Sequence, residues 1–202
     1  MWRKVMTFTP PSHAPLSDEH YEELADAELR AKKIRRAIGV AKLDGWSIGA
    51  FGALTLLFGL FSVAGWVMGV GMCAIAYIEL DGAQRLARFE PGSGKRLGFN
   101  QLALGSLLFC YALFGLWRAL YGPDPLASTI ESAPEVAAMV GGFSEVARMI
   151  GAAVYGLLAF IAIFAQGGTA WFYFSREKYL RAYRAETPEW IVKLNERMPK
   201  AA

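Results

Sequence analysis

The chain has 202 residues, of which 54% are hydrophobic, and a mean hydropathy of +0.28. That excess of apolar side chains sits badly with the surface of a water-soluble domain. A net charge of only +3, with no basic cluster interleaved with aromatics, excludes nucleic acid as the expected partner. Cys73 and Cys110 lie in apolar runs, where a thiol acts as a small hydrophobe, so they carry no information on redox compartment.

In chain order, residues 1–16 read as a flexible tail containing Pro10, Pro11 and Pro15. The start is acid-rich and lacks an apolar core, so neither a secretory signal nor a transit peptide is expected. Ser17 is placed to cap a helix over 17–43 whose first turns are acidic and last turns basic, an order that complements the helix dipole. Asp26 with Arg30 and Glu28 with Lys32 are spaced for i,i+4 pairing. Tyr21, Leu24, Ala31, Ile34, Ile38 and Ala41 form an apolar stripe, which needs cover from other helices of the chain, the inner membrane surface or another subunit. Lys32, Lys33, Arg35, Arg36 and Lys42 are placed to meet anionic lipid.

No charge occurs from Gly45 to Ile78. As one helix this stretch would reach about 50 Å, against a hydrocarbon core of about 30 Å. A break at Ser62, Val63, Ala64 and Gly65 divides it, and a hairpin of two short spans, 45–62 and 65–81, is predicted. The second helix then protrudes to about Phe89, and Pro91, Gly92, Ser93 and Gly94 turn the chain within a cytoplasmic extension over 82–97. A third span covers 98–121 and a fourth 149–175. Between them, 122–148 reads as an external loop with a short interfacial helix opening at Ser132, Pro134 and Glu135 and bending at Gly141 and Gly142. Residues 176–202 read as a helical cytoplasmic tail, continuing to about Ala185 and restarting at Thr187, Pro188 and Glu189.

Charge placement orients these spans, because lysine and arginine accumulate on the cytoplasmic side. The amino-terminal helix, the 82–97 connection and the carboxyl-terminal segment are basic, whereas Gly122 to Arg148 carries Asp124, Glu131, Glu135 and Glu145 against Arg148. A three-span reading would separate the basic segments. Aromatics agree: Trp46, Tyr77, Trp171 and Tyr173 fall at inner ends, and Trp66, Trp117 and Tyr121 at outer ends. The expectation is an all-α integral membrane protein of the bacterial inner membrane, with four transmembrane helices in two hairpins and both termini cytoplasmic.

Gly92, Ser93, Gly94 and Lys95 suggest a phosphate loop, but Phe89 stands where that motif needs its first glycine and Arg96 where it needs a hydroxyl. Asp81, Gly82 and Arg85 resemble the opening of the metal-binding signature of CDP-alcohol phosphatidyltransferases. That family's pattern also needs an aspartate where this chain has Ile78, and two more beyond a glycine, where it has Leu97, Phe99 and Asn100. The assignment is therefore rejected, no metal or cofactor is expected, and Asp81 with Arg85 reads as an i,i+4 ion pair. The only histidines, His13 and His20, lie ahead of every span, which argues against histidine-ligated haem or copper in the bilayer. Glu79 reads as an inner-boundary residue, and Asn100 and Gln166 as polar residues of structural or functional use.

Small residues recur at Gly45, Gly49 and Ala53, at Gly65, Gly69 and Cys73, and at Ala152 and Gly156, as rows that let helices approach closely. The leading functional expectation is a non-catalytic accessory, scaffold or assembly subunit of a larger membrane complex, with the bilayer and either protein partners or further copies of itself around it. A small transporter or channel subunit is the alternative. Third comes a lipid-modifying enzyme using Glu79, Asp81 and Asn100.

Overall fold

The computed structural model describes residues 16–59, 61–123 and 134–197, with side chains described at 16–59, 61–123 and 143–197. Among the described residues there are five helices and no strand: α1 (Asp18–Phe58), α2 (Val63–Ala87), α3 (Ser93–Tyr121), α4 (Pro134–Glu186) and α5 (Glu189–Arg197). Three segments, Val63–Ala87, Ser93–Tyr121 and Phe143–Glu186, are long and apolar enough to cross a membrane. Their outward faces carry the large side chains, among them Val67, Val70, Leu113, Val154, Leu157, Phe160 and Phe164. This inverted pattern suits a hydrocarbon solvent.

The uncharged stretch after Gly45 is a helical hairpin, divided between Phe58 and Val63. α1 stops at Phe58 because the chain turns there: the Gly59 amide donates to the Thr55 carbonyl at 2.8 Å, and the Ser62 amide to the Gly59 carbonyl at 2.9 Å. Ser62 then caps α2, its hydroxyl accepting from the Gly65 amide. A Cβ on Gly65 would sit 2.7 Å from the Gly59 Cα, so the two backbones meet where neither can carry a side chain. Lower down, α1 and α2 stay in antiparallel contact, Gly52 against Cys73, Gly49 against Ala76 and Gly45 against Leu80.

Two expected divisions are absent. The 17–43 helix and the first apolar run form one helix of 41 residues, about 61 Å long, with no break at Asp44 or Gly45. Pro134 begins a helix of 53 residues that continues unbroken through Gly141 and Gly142 into the last apolar run. Glycine inside a helix costs only about 1 kcal/mol relative to alanine and keeps its N–H, so without a proline the ladder continues. Ser132 and the remainder of the expected external loop over 124–133 lie outside the described residues, as do the tail residues 1–15.

At one end the charged halves of the helices pack into a head. Ala27, Ala31, Ile34, Ala37, Ile38 and Ala41 of α1 bury against Leu86, Phe89, Leu97, Leu180, Tyr183, Ile191 and Val192. The predicted stripe is thus covered by the chain itself, with Tyr21 left 57% exposed at its end. Ser17 caps α1 in a capping box with His20, whose ring meets Trp190 edge-on at 5.4 Å. Trp190 Nε1 donates to Glu23 at 2.9 Å, fastening α5 to α1. The α2–α3 turn is held from α4. Phe89 adopts a left-handed φ of 56°, uncommon for a bulky residue, while its ring stacks on Tyr183 at 4.3 Å and its carbonyl accepts from Arg184.

Candidate functional site

Where the head joins the apolar part of the bundle, polar side chains from all four long helices converge. Glu79 of α2 is fully buried. One carboxylate oxygen accepts from Asn100 Nδ2 at 2.6 Å and the other from Gln101 Nε2 at 3.0 Å, both on α3. Asn100 also donates to the Ile75 carbonyl at 3.0 Å, and its amide thereby ties α3 to two consecutive turns of α2. From α4, the buried Tyr173 hydroxyl reaches Asp44 of α1 at 3.4 Å. Taking a carboxylate out of water costs several kcal/mol unless donors replace the lost hydration, and here two amides take that place.

Small residues make this convergence possible. A Cβ at Gly98 would strike the Phe174 ring, one at Gly105 would lie 3.1 Å from Gln166 Cβ, and one at Gly94 would lie 3.0 Å from the Tyr173 carbonyl. Gly94, Gly98, Gly105 and Gly115 are all buried, and each faces a residue of α4, so they mark the seam along which α3 meets α4. The expected α1 row is displaced: Gly45 and Gly49 face α2, but the next contact is Gly52, and Ala53 points outward. A helix advances 100° per residue, so position i+7 returns to the starting face more closely than i+8. Gly65, Gly69 and Cys73 do face α1. Gly156 has nothing within 4 Å of the place a Cβ would take, and Ala152 is half-buried; the close contacts of α4 are provided by the α3 glycines.

The neighbouring charges form a separate network. Asp81 accepts from Arg85 Nε at 2.8 Å, the expected i,i+4 pair, and also from Arg96 at 3.0 Å. Glu90 adds Arg85 at 3.4 Å and Arg88 at 3.9 Å. The turn that resembled a phosphate loop already has an anion: the buried Glu177 carboxylate of α4 accepts from the Gly92 amide at 3.0 Å, at the amino end of α3. Of the basic residues of α1, Lys32 and Arg36 are exposed, Lys33 approaches the Tyr179 hydroxyl at 3.3 Å, Arg35 pairs with Glu28 at 3.8 Å, and Lys42 is half-buried. Gln166 is half-buried against Gly105 and lines a shallow cleft with Ser106.

Glu79 and Asn100 were legible as polar residues at a span boundary, but Asp44, Gln101 and Tyr173 were not. Tyr173 had the position of an interfacial aromatic, and only its burial separates it from the exposed Trp46, Tyr77 and Trp171 nearby. Gln101 was overshadowed by its neighbour, although consecutive amides opposite a lone glutamate on an adjacent helix are a readable signal. Among the described residues no three His, Cys, Asp or Glu side chains are grouped to hold a metal ion. Chemically, the cluster can fix the register of four helices or hold a proton within them. No protein-family model, curated protein or solved structure matches the chain.

Proposed function

We propose that the chain is a non-catalytic accessory or assembly subunit of a larger complex in a bacterial inner membrane, built on four spans with both termini cytoplasmic. Antiparallel contact between α1 and α2 supports the fourth span, since α1 enters from the end where the head collects the basic segments. The observation that carries the function is the outer face of the head. With its stripe packed inward, α1 still presents Leu29, 71% exposed, in a groove of about 440 Å³ lined also by Ala25, Glu28, Lys32 and Arg35. An exposed leucine beside Lys32 and the Glu28–Arg35 pair suits a partner helix that brings an apolar anchor flanked by charged side chains. A photo-crosslinking residue at Leu29 should capture such a subunit in native membranes. A lone monomer in mild detergent, with no crosslink from that position, would overturn the proposal.

The buried carboxylate favours a second reading, a small transporter or channel subunit, because ionisable residues at membrane depth commonly serve ion or proton pathways. It requires solute flux in reconstituted vesicles that changes with Glu79→Gln or Gln166→Leu. The lipid-modifying reading needs Glu79, Asp81 and Asn100 to face one substrate. Glu79 and Asn100 instead bond each other, and Asp81 is held by two arginines.

A further inference from the structure

At the end of the bundle opposite the head, a cavity of about 540 Å³ opens between the start of α2, at Ser62 and Ala64, and the facing parts of α3 and α4. Two bases line it, Arg118 of α3 and Arg148 of α4. Arg148 Nη2 donates to the Gly122 carbonyl at 3.0 Å, closing the carboxyl end of α3; a guanidinium has five N–H donors, and that bond uses one. Glu145, one turn earlier on α4, is exposed and does not line the cavity.

The cavity floor is aromatic. Tyr111 of α3 and Tyr155 of α4 meet edge-on with centroids 6.0 Å apart, and Tyr155 lies over Gly115, where any side chain would collide with its ring. Tyr111 also lines a second cavity, about 240 Å³, that lies within the apolar part of the bundle among Thr55, Met68, Met72, Leu108 and Leu158. The sequence of surfaces is therefore two guanidiniums, two phenols, then an apolar cleft lined partly by flexible methionines.

The geometry points to a binding site for a membrane phospholipid with an anionic headgroup, its phosphate at Arg118 and Arg148 and part of an acyl chain past Tyr111 into the cleft. Guanidinium forks match phosphate oxygens in a bidentate fashion, and an interfacial base attracts anionic lipid. A soluble anion would use the arginines and leave the cleft idle, whereas a neutral lipid would use the cleft and leave the arginines idle. Only an anionic amphiphile uses both surfaces. The site needs no assignment of leaflet and does not depend on the accessory function.

The test is lipid titration of the intact protein in mild detergent, read by thermal unfolding and by native mass spectrometry. Phosphatidylglycerol should raise the melting temperature and remain bound, with phosphatidylcholine and inorganic phosphate each giving a much smaller effect. Arg118→Gln, which leaves the Arg148 bond to α3 intact, should weaken phosphatidylglycerol roughly fivefold. Leu158→Phe, which narrows the cleft, should weaken phosphatidylglycerol without creating any response to inorganic phosphate. Equal binding of phosphatidylcholine, an equal response to inorganic phosphate, or phosphatidylglycerol affinity unchanged by Arg118→Gln would overturn the assignment.

Discussion

Glu79 accepts one hydrogen bond at each carboxylate oxygen from adjacent residues of α3, so its removal would leave the buried Gln101 amide without that acceptor and the Asn100 amide with the Ile75 carbonyl alone. Leaving a buried donor unsatisfied typically costs about 1–3 kcal/mol, whereas a substitution that keeps the shape and most polar contacts costs less. Glu79→Ala should therefore lower the melting temperature in detergent, with Glu79→Gln falling between it and wild type. Equal melting temperatures for both variants and wild type would show that the carboxylate does not hold α2 to α3. At this scale the sequence was partly readable. It placed Glu79 and Asn100 at a boundary, but it could not show which aromatic turns inward, because Tyr173 and Trp171 are two positions and 200° apart on one helix. It also set the third residue of the α1 row at Ala53, although Gly52 is the one that faces Cys73.

Among the elements, the α1–α2 hairpin rests on contacts too close for side chains. A Cβ at Gly65 would lie 2.7 Å from the backbone of Gly59, and backbone atoms at a turn yield less readily than the tip of a flexible chain. Gly65→Leu should force the two helices apart, a cost of about 1–3 kcal/mol for overpacking. Gly156→Leu, at a site with nothing within 4 Å, should be nearly neutral. Comparing the two melting temperatures checks this, and similar losses would remove the case for a tight tip. Charge placement, more than apolar run length, had pointed to the hairpin: a single helix over 45–78 would overshoot the bilayer, and it would also separate the basic segments. Helix continuity was less legible. Asp44 looked like a boundary between a cytoplasmic helix and a span, and Gly141 with Gly142 looked like a bend, but neither residue type interrupts the hydrogen-bond ladder as proline would.

For the whole molecule, packing fixes which segments share an end. The head joins the charged half of α1, the α2–α3 turn, the charged half of α4 and α5, whereas Ser62 and Arg118 line one cavity at the far end. If α2, α3 and α4 cross the bilayer, α1 must run alongside α2 from the head side. That arrangement can be tested with single cysteines placed at Ser17, Ser62, Lys95, Pro123 and Lys193 in a chain whose own Cys73 and Cys110 are replaced by alanine. All five sites are exposed, so a membrane-impermeant maleimide added to intact cells reports the side on which each lies. Four spans with cytoplasmic termini predict labelling at Ser62 and Pro123, and protection at Ser17, Lys95 and Lys193 until the membrane is opened. A three-span chain, in which 45–78 crosses once, would reverse Lys95, Pro123 and Lys193 while leaving Ser17 protected. Labelling of Lys95 and Lys193 in intact cells would therefore discard the fourth span, and with it the cytoplasmic placement of the Leu29 groove.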